Sequence, residues 1–205
     1  MSKLNLDAMD HMQYDVLKEI GNIGAGNATT ALSQLINAKI DMDVPKVQLL
    51  GFKDLPDIVG GAECLVVGIL LTLEGEIEGS MMFILECNSA HHLVNILLQK
   101  DLDSFEDFSE MDLSALKEIG NIIAGAYLSS LSTLTNLFIQ ASVPHMAIDM
   151  AGAILSVPAI EFGMLGDKAL LIQSKFGEDD TEVSGYFILI PTLDSYDKIM
   201  ESLGL

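Results

Sequence analysis

The chain has 205 residues, half of them hydrophobic, and carries 30 Asp and Glu against 10 Lys and Arg, a formal net charge of −20. That length is long for one compact domain and short for two, and it can bury a substantial core; the excess of acids repels phosphate backbones and anionic lipid surfaces, so neither nucleic acid nor membrane is expected as a partner. No apolar run approaches the ~20 residues of a bilayer span and the opening MSKLNLDAMDHMQYD lacks a signal core, so a cytoplasmic protein is expected.

In chain order, a helix-length amphipathic segment over 10–37 comes first, then Val44-Pro45 with an extended stretch, then a loop or short helix over 49–61. Two strand-like runs, ECLVVGILLTL and EIEGSMMFILEC, bracket Glu74-Gly75 as a hairpin, and a shorter helix follows over 89–99. Cys64 and Cys87 lie in these apolar runs without the spacing of a disulfide framework or a zinc site, and read as buried, reduced thiols. The acidic stretch 101–112 reads as a linker. Beyond it the order repeats: a helix over 111–136, Val143-Pro144, a connector over 149–163, the strands KALLIQSKF and EVSGYFILI about the acidic turn GEDDT, and a closing helix over 193–203. The expected fold is a single α/β (α+β) domain over 1–205 with an internal pseudo-twofold repeat. Its halves are 10–100 and 111–205, and its mainly antiparallel sheet is covered by the two long helices.

The repeat is sharpest in those helices. LKEIGNIGAG, 17–26, recurs as LKEIGNIIAG, 116–125, at a constant offset of 118 − 19 = 99, with Gly24 replaced by Ile123. A helix turns about 100° per residue, so Asp15, Glu19, Asn22, Gly26, Thr29 and Ser33 share one narrow face. Leu17, Ile20, Gly24, Ala28, Ala31 and Leu35 share the opposite, core-facing stripe. In the second copy the outward face holds Ser114, Lys117, Glu118, Asn121, Gly125 and Ser132, with Leu128 as its one apolar member. The small residues beyond each Asn, Gly26 and Gly125 above all, would let a partner's backbone come close.

A Glu and an Asn on an exposed helix are ordinarily no more than a solvated face. Two near-identical copies alter that weighing, because packing of long helices about a twofold axis explains Gly, Ile and Ala but does not call for Glu and Asn. An Asn amide both donates and accepts, so it can hold a water in one orientation, yet it neither titrates nor forms a useful covalent intermediate. No nucleophile with its base and no acid cluster able to hold a metal accompanies the pairs on that face. Such a site cannot run a reaction by itself, but it could complete one on a partner that already carries an activated phosphoryl group and its magnesium, by docking the Glu on a lysine and aiming a water in line with phosphorus.

The spacing is Asp or Ser, three residues, Glu, two residues, Asn. Occurring twice, as Asp15, Glu19, Asn22 and as Ser114, Glu118, Asn121, it resembles the CheC-type phosphatases of bacterial chemotaxis, a family that includes CheX and FliY proteins. The resemblance extends over nearly the whole chain in length, motif number and element order, and favours the CheC branch. It implies an enzyme, a phosphoaspartyl protein phosphatase acting on the response regulator CheY. By the same resemblance Glu19 and Glu118 would pair with the regulator's active-site lysine, Asn22 and Asn121 would orient the attacking water, and Asp15 and Ser114 would support them. Mg²⁺ is expected on the phosphorylated partner, and this chain is expected to hold no metal or cofactor of its own. The receptor deamidase CheD is implied as a second partner. For it the stretch DMAGAILSVPAIEF offers Asp149, Met150, Ala151, Gly152 and Ala153, though the same stretch reads equally well as an amphipathic connector packed on the sheet. An adaptor that regulates the deamidase, with hydrolysis slow or incidental, is the alternative; intact Glu and Asn favour retained catalysis.

Other features carry less. GNIGAGNA, 21–28, resembles a dinucleotide-binding glycine loop but sits inside a helical pattern with no strand before it. His91 and His92, and the solitary His11 and His145, lack acidic or Cys partners at ligand spacing and read as surface or satisfied histidines. Glu178, Asp179, Asp180 and Glu182 read as a solvated hairpin turn. Methionines such as Met81, Met82 and Met164, three of eleven, read as core fillers rather than a recognition surface.

Overall fold

In a computed structural model that describes residues 11–36, 41–101, 107–162, 168–178 and 181–205, the chain begins with helix α1 (His11–Ile36) and strand β1 (Asp41–Gly51). A single 3-10 turn (Phe52–Asp54) leads into the short helix α2 (Leu55–Ile58). Strands β2 (Leu65–Gly75) and β3 (Gly79–Glu86) and helix α3 (Cys87–Leu98) follow. The order then recurs: α4 (Glu110–Thr135), β4 (Ile139–Ala141), β5 (His145–Met150), α5 (Ala151–Phe162), β6 (Lys168–Glu178), β7 (Thr181–Pro191) and α6 (Leu193–Ser202). α1 and α4 carry the two motif copies at the offset of 118 − 19 = 99. The β2–β3 turn sits slightly later than the sequence suggests. β2 runs on through Gly75, and Gly75 and Gly79, with φ of +111° and +146°, flank the connection.

All seven strands form one antiparallel sheet in the order β1-β6-β7-β3-β2-β4, with β5 also on β2. The strands change partners between the halves. β1 pairs with β6, β4 and β5 pair with β2, and the two hairpins meet where β3 lies against β7. β4 and β5 are two pieces of one interrupted edge, held together where the Thr72 amide donates to Ser142 Oγ (3.0 Å) and the Ser142 amide to the Thr72 carbonyl (2.9 Å). Val143-Pro144 fills that break, and Val44-Pro45 fills the register shift in β1 between Asp43 and Lys46. Proline lacks the amide a central ladder needs, so it belongs at an edge or bulge, and a broken edge resists pairing with another chain.

Each central strand buries both faces in strict alternation. Val67, Ile69, Leu71, Met81, Phe83, Leu170, Ile172, Phe187 and Leu189 point to one core, shared with α1, α3, α4 and α6. Val66, Met82, Ile84, Ala169, Leu171, Ile188 and Ile190 point to a second, shared with α2 and α5. The layering is therefore helix, sheet, helix, one layer more than a sheet covered by two long helices. Continuous apolar runs such as MMFIL and YFILI reflect strands with no wet face. Gly68 lets α5 close on the sheet, since a Cβ there would stand 2.5 Å from the Ile154 methyl.

Several expectations need correction. Leu128 is buried, because α4 packs both on the sheet and against α1 and so hides a wider arc than one stripe. Leu35 is 46% exposed, as is its counterpart Leu134 at 41%; the described core takes no residue of α1 beyond Leu32 or of α4 beyond Leu131. Cys64 and Cys87 are half-buried and free, and pack toward opposite faces of the sheet. Burial raises both thiol pKa values; Glu86 adds to the effect at Cys64, and Cys64 at Cys87. The region 101–112 is not wholly linker, since α4 begins at Glu110 and Asp112 is buried. Met81 and Met82 do fill the core, whereas Met12, Met111 and Met150 are exposed; Met164, Asp179 and Asp180 lie outside the described residues.

Candidate functional site

The two motif helices pack on each other, and their differences are complementary. Gly24 accommodates the Tyr127 ring, whose Cδ1 would lie 2.5 Å from a Cβ on residue 24. At the equivalent positions the sizes are reversed: Ile123 and Ala28 are both buried in the same core. The bulky Tyr127 of α4 is thus met by a glycine of α1, which explains why position 24 cannot carry the isoleucine found at its counterpart, Ile123. Asn27 Nδ2 donates to Ser130 Oγ across the seam (3.0 Å). Tyr127 also tilts against Phe187 at 4.7 Å, and Gly120 brings α4 onto Ile69 of β2, which would stand 2.7 Å from an added Cβ. The backbones that carry the motifs are therefore fixed on two sides.

That packing turns Asp15, Glu19 and Asn22 outward on α1 and Ser114, Glu118 and Asn121 outward on α4; all six are exposed. No hydrogen bond or ion pair engages the Glu and Asn side chains among the described residues. Residues three apart on a helix are surface neighbours, so each carboxylate sits beside an amide, both solvated. Gly26 and Gly125, one turn further on, are exposed with nothing within 4 Å of an added Cβ. The outward face closes beyond them. Thr29 is half-buried and donates to the Ala25 carbonyl (2.8 Å), and Ser132 is half-buried and donates to the Leu137 carbonyl (2.6 Å). GNIGAGNA is helical throughout and forms no phosphate loop.

One anchoring residue escaped sequence reasoning. Ser109 caps α4 in a capping box with Asp112: the Ser109 amide (2.9 Å) and hydroxyl (2.8 Å) both donate to Asp112 Oδ2, while Lys100 donates to Oδ1. Burial pushes the Asp112 carboxyl upward, but Lys100 and the Ser109 donors outweigh it and the net shift is downward. The spacing of Ser109 and Asp112, with Asp in place of the usual Glu, was the available signal. His91 stacks on Phe108 at 3.8 Å, and burial, partly opposed by Asp112, lowers its pKa. Among the described residues no three His, Cys, Asp or Glu side chains gather as metal ligands, and no helix is long and apolar enough to cross a membrane.

The deamidase candidates split. Asp149 and Met150 end β5 and are exposed, and Ala153 is exposed on α5; Ala151 is buried and Gly152 half-buried, their amides donating to the carbonyls of Cys64 and Ala62. Helix α5 turns its first residue into the sheet, which takes Ala151 out of any surface. Val157 and Ile160, further along α5, are exposed instead.

Fold and site together define a duplicated α/β protein that presents an acid and an amide on each of two packed helices. A model of the CheC-like family matches residues 12–49 and 111–146, the two motif helices with the strands that follow them. The chain is 39% identical to the CheY-P phosphatase CheC of Bacillus subtilis over 94% of each chain. Its fold is similar to that of Thermotoga maritima FliY (TM-score 0.77, 21% identity, covering 96% of this chain and 98% of that one). It is also similar to a chain in the CheX–CheY–BeF₃–Mg²⁺ complex of Borrelia burgdorferi (TM-score 0.51, 20% identity, 82% and 95%). This chain belongs to the CheC-like family.

Proposed function

We propose that the protein is a phosphatase for the aspartyl phosphate of the chemotaxis response regulator CheY, with α1 and α4 each carrying one active face. The observation that carries this reading is the duplication of a solvated Glu and Asn, three residues apart, on helices whose packing leaves both pairs free for a partner. The name borne by the 39% identical relative agrees with it. Glu19 or Glu118 docks on the regulator's lysine and fixes the helix over the phosphorylated carboxylate. Asn22 or Asn121 then accepts a hydrogen bond from a water and donates to hold it in line with phosphorus, opposite the aspartate oxygen that leaves. Mg²⁺ belongs to the regulator and neutralises phosphoryl charge there; this chain contributes position, and position accounts for a large part of such catalysis. Asp15 and Ser114, one turn before each Glu, support the docking. The test is phosphate release from Mg²⁺-loaded phosphorylated regulator by wild type, Asn22→Ala, Asn121→Ala and the double variant. Release should fall in each single variant and return to the regulator's own rate in the double; a double variant as fast as wild type would remove Asn from the mechanism.

A second surface supports the adaptor reading alongside catalysis. Asp149, Met150 and Ala153 are exposed at the β5–α5 junction and Val157 and Ile160 further along α5, and we assign them to the deamidase CheD. Asp149→Lys should abolish deamidase capture in a pull-down while leaving phosphate release intact; unchanged capture would move the docking site elsewhere.

A further inference from the structure

Exposure itself is duplicated. Met12 is 63% and Met111 67% exposed, at the motif offset of 111 − 12 = 99. Ile23 is also exposed, and its counterpart Ile122 is half-buried. Seven residues make almost two turns, so Met12 lies about 20° round α1 from Glu19, and Ile23, four residues on, about 40° on that same side. Asn22 lies on the other flank. On α1 Met, Glu and Ile therefore run along one exposed ridge, with the bare helix surface of Gly26 at its end; on α4 Met111, Glu118 and Gly125 are exposed likewise, while Ile122 rests one side on the core and leaves the other at the surface. Core packing does not explain Met12 or Met111, because both point into water.

We infer that Met12 with Ile23, and Met111 with Ile122, form an apolar rim that excludes water from the ion pair between the motif glutamate and the lysine of its partner. This rests on the phosphatase reading and names what the docking face needs on the other side: an apolar margin around a lysine beside a Mg²⁺-bound phosphoryl group. A solvated Glu–Lys pair contributes little to binding, so a glutamate on an open helix would hold a regulator poorly. Shielded from water the same pair is stronger, since the attraction scales inversely with the local dielectric constant. Energetically central contacts are commonly ringed by groups whose task is to keep solvent out. Methionine suits such a rim because its flexible thioether adapts to the partner's contour. The charge agrees best on α1, where Asp15 and Glu19 outnumber the neighbouring Lys18; on α4 Glu118 stands beside Lys117 with Ser114 in place of the second acid, so the lysine is met there by the glutamate alone.

The experiment follows phosphate release against phosphorylated, Mg²⁺-loaded regulator at low and high salt, for wild type, Met12→Ser/Met111→Ser and Met12→Leu/Met111→Leu. The serine pair should raise KM about tenfold with kcat within about twofold, and make KM more salt-sensitive because the ion pair is now wet; the leucine pair should restore KM. Unchanged KM and salt dependence in the serine pair would overturn the rim while leaving the phosphatase reading standing. If wild type itself gives no acceleration, the phosphatase reading fails, and Kd for regulator loaded with Mg²⁺ and BeF₃⁻ decides the rim: tenfold weaker binding of the serine pair sustains it, and equal or absent binding removes it. Both methionines are exposed, so retained melting behaviour of the serine pair is expected.

Discussion

A glycine inside a helix costs about 1 kcal/mol relative to alanine, and the glycines of these helices are kept for two different reasons. Gly24 is held by contact. Gly24→Ala would gain that propensity but drive a methyl into the Tyr127 ring, and overpacking of 1–3 kcal/mol outweighs it; urea unfolding should show a net loss of about 1 kcal/mol, relieved when Tyr127 is shortened to Leu. A methyl added at Gly26 or Gly125 would meet nothing within 4 Å. Gly26→Ala/Gly125→Ala should therefore stabilise the isolated chain by about 0.5–1 kcal/mol per site in urea unfolding, yet slow phosphate release by raising KM, since each methyl stands where a partner's backbone would approach. Stabilisation with undiminished activity would show that these glycines face no partner. The sequence made Glu, Asn and the outward glycines legible as a set, because they recur with one period. It could not show that Leu128 turns inward, since periodicity describes one buried stripe and α4 has two neighbours.

At the scale of elements, the position of the second motif depends on how α4 starts. Asp112 satisfies the Ser109 amide and hydroxyl, pairs with Lys100 and places negative charge in the first turn of the helix, where the dipole favours it. Asp112→Ala should cost about 2 kcal/mol at neutral pH. The folded carboxyl lies below its ordinary value of 3.8, so its contribution is complete above that value and is lost as pH falls through the lowered folded value. The gap between wild type and Asp112→Ala in urea unfolding should accordingly be constant from pH 7 to about 5 and shrink below about 4. A gap that widened on acidification would mean that the carboxyl is destabilised in the fold. The acid-rich composition of 101–112 concealed this residue, because composition does not say which of many acids meets a lysine.

At the scale of the whole molecule, the exchange of strands makes the halves interdependent. A fragment of the first half carries β1 without β6, β3 without β7, and β2 without β4 and β5, so every one of its strands lacks a partner and much of both cores is open. Residues 1–105 alone should remain largely unfolded by circular dichroism, and mixing with 106–205 should restore native signal; autonomous folding of either fragment would show that the exchange is dispensable. Repetition in sequence announces two copies but is silent on which copy of each strand pairs with which.

What the sequence determined by itself is local and periodic: two long amphipathic helices, two apolar hairpins, their order, and the acid and amide that recur at a fixed offset. These follow from spacing along one chain, where each residue's face is set by the helix or strand period. The tertiary structure decided what depends on neighbours distant in sequence. It set the partner exchange across β3 and β7, the second helical layer under the sheet, the inward turn of Ala151 and the size match of Gly24 with Tyr127. It also left Met12 and Met111 in water beside the motif, because burial is a property of what packs around a side chain and not of the side chain itself.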